Sequence, residues 1–280
     1  MQHRHRFHMA GVMGWPIAHS RSPKIHNHWL ALHGLEGVYV PLEIEPGRLQ
    51  GALRALAPLG FSGCNLTIPH KEAALAFVDR IDPAAARVGA INCVVVEADG
   101  SLTGKNYDGF GFIAALRAGA PHWRAESAPA VVIGAGGGAR AVVAGLLEAG
   151  APEIRVFNRT QERADILARD FGAPVAAHPW ASRNAGLAGV GLVVNTTSLG
   201  MIGQPPLEIS LAAAPSSAVV VDIVYAPLET ALLAEARRGG LTAVDGLGML
   251  LHQARPAFRD WFGVMPEVTP ALRELIAATL

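Results

Sequence analysis

One stretch, Val131-Val-Ile-Gly-Ala-Gly-Gly-Gly-Ala-Arg140, limits the possible folds of this 280-residue chain more than any other. Ala130 to Ile133 is a short apolar, β-branched run, which reads as a buried parallel strand. Gly134, Gly136, Gly137 and Gly138 follow, a turn that side chains would obstruct. Ala139 to Ala149 reads as a helix with Val142, Val143, Leu146 and Leu147 on its apolar face. A strand, a glycine turn and a helix N-terminus together make an anion site. Backbone N–H groups point outward there, and the helix dipole favours a pyrophosphate. The spacing matches G-x-G-x-x-G/A over Gly134-Ala135-Gly136-Gly137-Gly138-Ala139. By itself this is a weak signal, because glycine-rich turns are common.

The next strand narrows it. Glu153 to Phe157 is strand-like, and Asn158-Arg159-Thr160-Gln-Glu-Arg163 follows. A site for NAD places a carboxylate here to hold the ribose 2′-hydroxyl. This chain places Asn158 and Arg159 there instead. A guanidinium forks onto a 2′-phosphate that a carboxylate would repel. Arg163 lies four positions after Arg159, so one helix face is expected to offer both charges. The cofactor expected is NADP.

Composition excludes several alternatives. Lys plus Arg number 23 and so do Asp plus Glu, so no overall field draws nucleic acid or an anionic membrane. The chain is 51% hydrophobic, enough for substantial cores. Two cysteines, Cys64 and Cys93, offer neither a disulfide framework nor metal-ligand spacing. No apolar run reaches membrane-spanning length. The basic start, Met1 to His8, is followed by a segment with two glycines and a proline, a poor signal-peptide core, so a cytoplasmic protein is expected. His3, His5 and His8 read as a frayed, solvated terminus, and no metal site is expected.

Taken in order, Met9 to Met13 reads as a strand. Gly14 to Ser20 is a loop, and Ser22-Pro23 opens a helix with the serine as N-cap. Tyr39 to Ile44 is a strand, Leu49 to Ala57 a helix, and Phe61 to Lys71 a strand running into a helix start. Val88 to Val96 and Leu102 to Lys105 flank the turn Asp99-Gly100, a hairpin signal. A helix opens at Asn106-Tyr107-Asp108-Gly109 and reaches Arg117. Gly119 to Ala128 lacks periodicity and reads as the passage between domains. Beyond it strands and helices alternate: Leu192 to Asn195 and Ala218 to Ile223 are strands, Leu228 to Arg238 is a helix, and Leu241 to Val244 a last strand. Such alternation implies a parallel sheet with right-handed crossovers. Helices from Gly246 to about Phe262 and from Thr269 to Leu280 end the chain.

With these segments in place, the chain resembles the shikimate dehydrogenase family over nearly its whole length. The matching stretches are Gly14-x-Pro16-Ile-Ala-His-Ser20-x-Ser22-Pro23, Asn65-x-Thr67-x-Pro69-x-Lys71, Gly89-Ala-x-Asn92, Asn106-x-Asp108-Gly109, the glycine loop, Asn158-Arg159-Thr160, and Gly246-Leu-Gly-Met-Leu-x-x-Gln253. The resemblance implies an α/β protein with an N-terminal α/β substrate domain, an NADP-binding Rossmann domain and C-terminal helices that return to the first. The corresponding boundaries are 1–117 with 246–280, and 118–245. It also implies reversible reduction of 3-dehydroshikimate to shikimate with NADPH; some members oxidise quinate.

Carried over by resemblance, Lys71 and Asp108 form the catalytic pair. Oxidising a ring alcohol sends a hydride to the nicotinamide and releases a proton from the hydroxyl. A lysine can take that proton, and a carboxylate beside it orients the ammonium and the hydroxyl. Ser20 and Ser22 resemble the pair that holds the substrate carboxylate. Thr67, Asn92 and Gln253 resemble its hydroxyl-binding groups, and Tyr225 resembles a tyrosine near the carboxylate. Asn195, Thr196, Gly246 and Met249 resemble positions on the cofactor side. The expected partner is thus a small-molecule substrate, with the chain a monomer or homodimer. The competing readings are a paralogue acting on quinate or a related hydroxy acid, and a non-catalytic sensor on the same fold. Three departures stand out: Trp15 where the family often has Asn, Cys93 where it usually has Thr, and Tyr107 where it usually has Thr. Tyr107 either enters the substrate pocket or lies against the domain boundary with its hydroxyl in water.

Overall fold

A computed structural model describes residues 7–280; of the three histidines expected to be solvated, His3 and His5 lie outside the described residues, while His8 is half-buried at the start of the first strand, paired with Gly37. The chain divides into two compact units. The first runs to Tyr107 and resumes over Gln253–Ile276; the second covers Asp108–His252 and the last four residues. The second unit thus begins before the passage expected at Gly119 to Ala128. The helix that starts at Asp108 belongs to it, because Gly109 lies against the glycine-rich helix that follows the nucleotide-type turn. A Cβ on Gly109 would stand 2.9 Å from the Ala141 carbonyl oxygen, and one on Gly145 would stand 2.9 Å from that of Gly109. Only glycine lets the two backbones approach so closely.

In the first unit, β1 (His8–Gly14), α1 (Ser22–Leu32), β2 (Gly37–Glu43), α2 (Leu49–Ala55), β3 (Phe61–Leu66), α3 (His70–Ala73), β4 (Arg80–Ile81), α4 (Pro83–Val88), β5 (Cys93–Val96) and β6 (Leu102–Lys105) follow one another. Their strands form one sheet in the order β2-β1-β3-β5-β6-β4. β1 is parallel to β2 and β3, while β5 runs antiparallel to β3 and to β6, so the expected hairpin is present. Met13, Leu49, Leu53, Leu66, Ile91 and Leu102 pack into one core. Each such side chain, fully buried, stabilises by about 1.5–3 kcal/mol.

Two local details differ from expectation. Ser22 is the first helical residue of α1 rather than its cap; Arg21 occupies the cap position and no side chain caps there. Ser20 supplies the acceptor instead, its Oγ receiving the Ser22 N–H at 3.3 Å, a local side-chain bond that competes with a cap. The short α4 escaped the sequence pattern, although Asp82 accepts from the Ala84 N–H at its start and Pro83 stands in its first turn.

The second unit contains α5 (Asp108–Gly119), β7 (Ala130–Ile133), α6 (Gly137–Glu148), β8 (Ile154–Phe157), α7 (Gln161–Phe171), β9 (Val175–His178), β10 (Leu192–Asn195), β11 (Val219–Asp222), α8 (Ala231–Arg238) and β12 (Thr242–Val244). All six strands are parallel, in the order β12-β11-β10-β7-β8-β9. The strand order therefore reverses between β7 and β10, where an open α/β sheet leaves a crevice. β7 and β10 are buried throughout, as continuous apolar runs require when helices cover both faces. α9 (Leu247–Phe262) starts in this unit and ends in the first, and α10 (Pro270–Ala277) follows. Among the described residues, no helix is long and apolar enough to cross a membrane.

Candidate active site

The second unit builds its site from backbone. Gly134 leaves β7 with φ 112°, and a Cβ there would meet the Thr196 Oγ1 at 2.5 Å. Gly136 caps α6 without any side-chain hydrogen bond. A Cβ on Gly136 or Gly137 would meet nothing within 4 Å, so both glycines face open space. Helix N–H groups lacking a side-chain cap beside open space fit an anion as large as a pyrophosphate. Ala135 is half-buried beside this turn, Gly138 is also half-buried, and Ala139 is fully buried in the core.

Across the crevice, Asn195 ends β10 and organises the next loop. Its Oδ1 accepts from the Thr197 N–H and hydroxyl, and its Nδ2 donates to the Leu199 carbonyl and to Asp222 Oδ1. Thr196 donates both its N–H and its hydroxyl to the Ile133 carbonyl at the end of β7, at 2.8 and 2.7 Å. Asp222 is fully buried, and also accepts from the Val224 N–H and the Thr230 hydroxyl. Burial pushes its carboxyl above the ordinary range, against the pull of those hydrogen bonds. Asp222 and Thr230 were not among the expected site residues. Their partnership spans eight positions and leaves no periodic trace.

At the end of β8, Asn158 Nδ2 donates to the Thr160 carbonyl at 2.7 Å and shapes the turn before α7. Arg159 stands in that turn, ahead of the N-cap Thr160, while Arg163 lies in the first turn of α7. The two arginines therefore do not share a helix face as expected, because the helix starts only at Gln161. Both are exposed. Gly246 donates its N–H to the Val224 carbonyl ahead of α9, Met249 packs half-buried against the core, and Tyr225 is half-buried after β11.

The first unit builds its site from side chains. Ser20 and Ser22 stand at the start of α1, after the loop that leaves β1. Thr67 follows β3, its N–H donating to the Met13 carbonyl, and its own carbonyl accepts from the His70 N–H that opens α3. Lys71 is half-buried on α3, and its carbonyl accepts from the Ile91 N–H. That bond holds α3 next to the segment bearing Asn92. Asn92 is 2% exposed; its Oδ1 accepts from the Tyr107 N–H at 2.9 Å, and its Nδ2 donates to Gln253 Oε1 at 3.1 Å. Beneath it lies a chain of buried neutral groups. The Tyr39 hydroxyl donates to Asn65 Oδ1 at 2.7 Å, and Asn65 Nδ2 donates to the Asn92 carbonyl at 2.9 Å. His26 stacks on Tyr39 with ring centroids 4.2 Å apart, and burial lowers its pKa to about 3. The imidazole is therefore neutral across the working pH range.

Tyr107 is the last residue before the boundary between the units, and its hydroxyl is not left to water as one expectation had it. Its hydroxyl donates to Asp260 Oδ2 on α9, which also receives Lys105 Nζ at 2.7 Å. Asp108 opens α5 as the first residue of the second unit. Asn65, Tyr39, Lys105 and Asp260 were missed as members of this site. Asn65 belongs to the Asn65-x-Thr67-x-Pro69-x-Lys71 motif, and the others join the site through long-range contacts.

A six-stranded parallel sheet whose order reverses beside a bare glycine turn defines a class, the two-unit α/β proteins that bind a dinucleotide in one unit. Comparisons give the family. Residues 12–94 match the shikimate dehydrogenase substrate binding domain, and residues 118–232 match shikimate / quinate 5-dehydrogenase. A shikimate dehydrogenase (NADP(+)) of Rhodospirillum rubrum is 56% identical over 272 residues, 96% of each chain. The shikimate 5-dehydrogenase of Thermus thermophilus, solved with NADP(H) and shikimate, superposes with a TM-score of 0.87 at 40% identity, over 98% of this chain and all of that one. The quinate dehydrogenase of Corynebacterium glutamicum, solved with NAD, gives 0.89 at 31% identity, over 97% and 99%. The chain belongs to the shikimate dehydrogenase family.

Proposed function

We propose that this chain catalyses the reversible, NADP-dependent reduction of 3-dehydroshikimate to shikimate, with Lys71 and Asp108 as its proton-transfer pair. What carries the proposal is the Asn92–Gln253 hydrogen bond, which brings together two neutral amides 161 positions apart. A ring bearing several hydroxyls needs donors and acceptors of this kind, since each unmatched buried polar group costs about 1–3 kcal/mol. Thr67 adds a hydroxyl after β3. Ser20 and Ser22, beside the N-terminus of α1, offer the substrate carboxylate two hydroxyls and helix N–H groups.

The glycine turn Gly134–Gly138 and the start of α6 would hold the pyrophosphate of NADP. Asn158, Arg159, Thr160 and Arg163 would hold its 2′-phosphate; Thr196, Gly246 and Met249 would flank the nicotinamide side. When bound, the cofactor supplies or accepts the hydride. Lys71 gives a proton to the carbonyl oxygen during reduction and takes it back during oxidation, while Asp108 orients the ammonium. Tyr225 is assigned to the substrate carboxylate. The balanced charge of the chain supports the absence of nucleic-acid partners, and we assign the chain to the cytoplasm as a monomer or homodimer.

The test is steady-state turnover of the purified protein on shikimate and on quinate, each with NADP and with NAD. Shikimate with NADP is expected to give the highest kcat/KM. A higher value for quinate would assign the chain to the quinate branch, which the likeness to the Corynebacterium structure favours as the second reading. Cofactor binding without turnover on either acid would leave a sensor.

A further inference from the structure

We propose that Tyr107 is a positioning residue that fixes substrate affinity by locking α9 against the β5–β6 hairpin. The inference rests on the assignment of Asn92 and Gln253 to the substrate's hydroxyls. Tyr107 is bonded at two places in the first unit. Its N–H donates to Asn92 Oδ1 at 2.9 Å, and its hydroxyl donates to Asp260. Asn92 in turn donates to Gln253 Oε1. Gln253 and Asp260 are seven residues apart on α9, two helical turns, so they share one face of that helix. The bonds therefore close a ring: Tyr107 to Asn92, Asn92 to Gln253, two turns of α9 to Asp260, and Asp260 back to Tyr107. Tyr107 bonds both Asn92 and Asp260.

Lys105 adds a charge-assisted bond to Asp260, and Arg259 pairs with its other oxygen at 3.1 Å. The next residue, Trp261, donates its indole N–H to the Val94 carbonyl at 3.0 Å. These contacts hold α9 in place without the phenol. The phenol adds lateral register, which sets where Gln253 meets Asn92. A threonine hydroxyl sits on Cβ and does not reach as far as a phenol, so this device belongs to chains with tyrosine at this position. A register error near 1 Å is enough to cost about a hundredfold in an oriented reaction. Loss of one bond of the ring is milder and falls on binding.

The experiment compares Tyr107→Phe and Asp260→Asn, singly and combined, with the unmodified protein, reading KM for shikimate, KM for NADP, kcat and Tm. Tyr107→Phe is expected to raise KM for shikimate about tenfold while kcat and KM for NADP stay within about twofold. Asp260→Asn keeps an acceptor oxygen and is expected to raise it less. In the combined variant Tyr107→Phe is expected to add little to Asp260→Asn, since the bond the two residues share is already altered in the single variant, whereas the loss of charge toward Lys105 and Arg259 is common to both Asp260 variants. An unchanged KM for shikimate in Tyr107→Phe, with only Tm lowered, overturns the inference and leaves Tyr107 a packing residue. Independent, multiplying effects also overturn it. An unmodified protein inert on shikimate overturns the proposed function itself, a result distinct from either.

Discussion

The two units handle buried polar groups in opposite ways. Among the described residues, the first buries eight polar side chains, including Ser22, Asn65, Asn92, Asn106 and Gln253, while the second buries Asn195, Asp222 and Thr230. On the proposed assignment, the second unit would meet the pyrophosphate with main-chain N–H groups, which asks for glycines rather than buried polar side chains. The first would match a small ring by donors and acceptors on side chains, which must then be held by one another. The contrast is sharpest in two carboxylates. Asp260 has Lys105, Tyr107 and Arg259 around it; burial works against its charge, but those partners hold its carboxyl below the ordinary range. Among the described residues the donors to Asp222 are neutral, namely Asn195, Thr230 and the Val224 N–H, and burial raises it. A cation offsets the cost of burying a charge, and neutral hydrogen bonds do so only in part.

The largest expected effect falls on Lys71, the proposed proton carrier. Lys71→Met keeps the bulk of the side chain and is expected to lower kcat by about 10²–10⁴, with KM for shikimate less changed. Near-normal kcat would move proton transfer elsewhere and break the division of labour between the units. Next comes the scaffold of the second unit. Asp222→Ala strips acceptors from Thr230, Val224 and Asn195 and is expected to cost about 2–4 kcal/mol in a denaturant melt. Asp222→Asn should cost less, because one acceptor oxygen remains. Arg159→Ala should reduce the preference for NADP over NAD about ten- to a hundredfold, through a charge-assisted contact of about 1.5–3 kcal/mol. A variant with unchanged preference would place 2′-phosphate recognition on other residues.

The smallest effect is in pH dependence, and it has opposite signs in the two units. The Asp260 pKa is lowered by folding, so its stabilisation is complete above the ordinary carboxylate pKa of about 3.9 and is lost as pH falls through the folded value. The Asp222 pKa is raised by folding. Stability linked to it is therefore greatest at acid pH and declines as pH rises from about 3.9 through the folded value. Asp260→Asn should flatten the acid limb of the stability curve, and Asp222→Asn should remove the decline above it. The same slope in both variants would contradict the assigned surroundings.

These differences also explain what the sequence disclosed. β7, the glycine turn and β10 were legible to within a residue or two, because their signals are local: an apolar run, a glycine spacing, a strand length. The N-terminus of α6 lies two residues earlier than expected, since glycines give no helical pattern of their own. In the first unit the motifs pointed to Asn92 and Gln253, but nothing local shows that they touch. Tyr107 was visible as a departure, yet its partner Asp260 lies 153 positions away, on a helix whose charged residues look like an ordinary solvated face. The expected Arg159–Arg163 helix face fails because α7 begins only at Gln161, after the first of the two arginines.

The central claim is that the ring hydroxyls of the substrate are recognised by the side-chain network of the first unit and the phosphates of the cofactor by the turn and arginines of the second. It is tested most directly by two-substrate kinetics on Gln253→Ala and Arg159→Ala. Gln253→Ala is expected to raise KM for shikimate and leave KM for NADP within about twofold, and Arg159→Ala to do the reverse, each by about tenfold or more. If either variant raises both constants together, or if the effects are exchanged, recognition is not divided between the two units and the account is wrong.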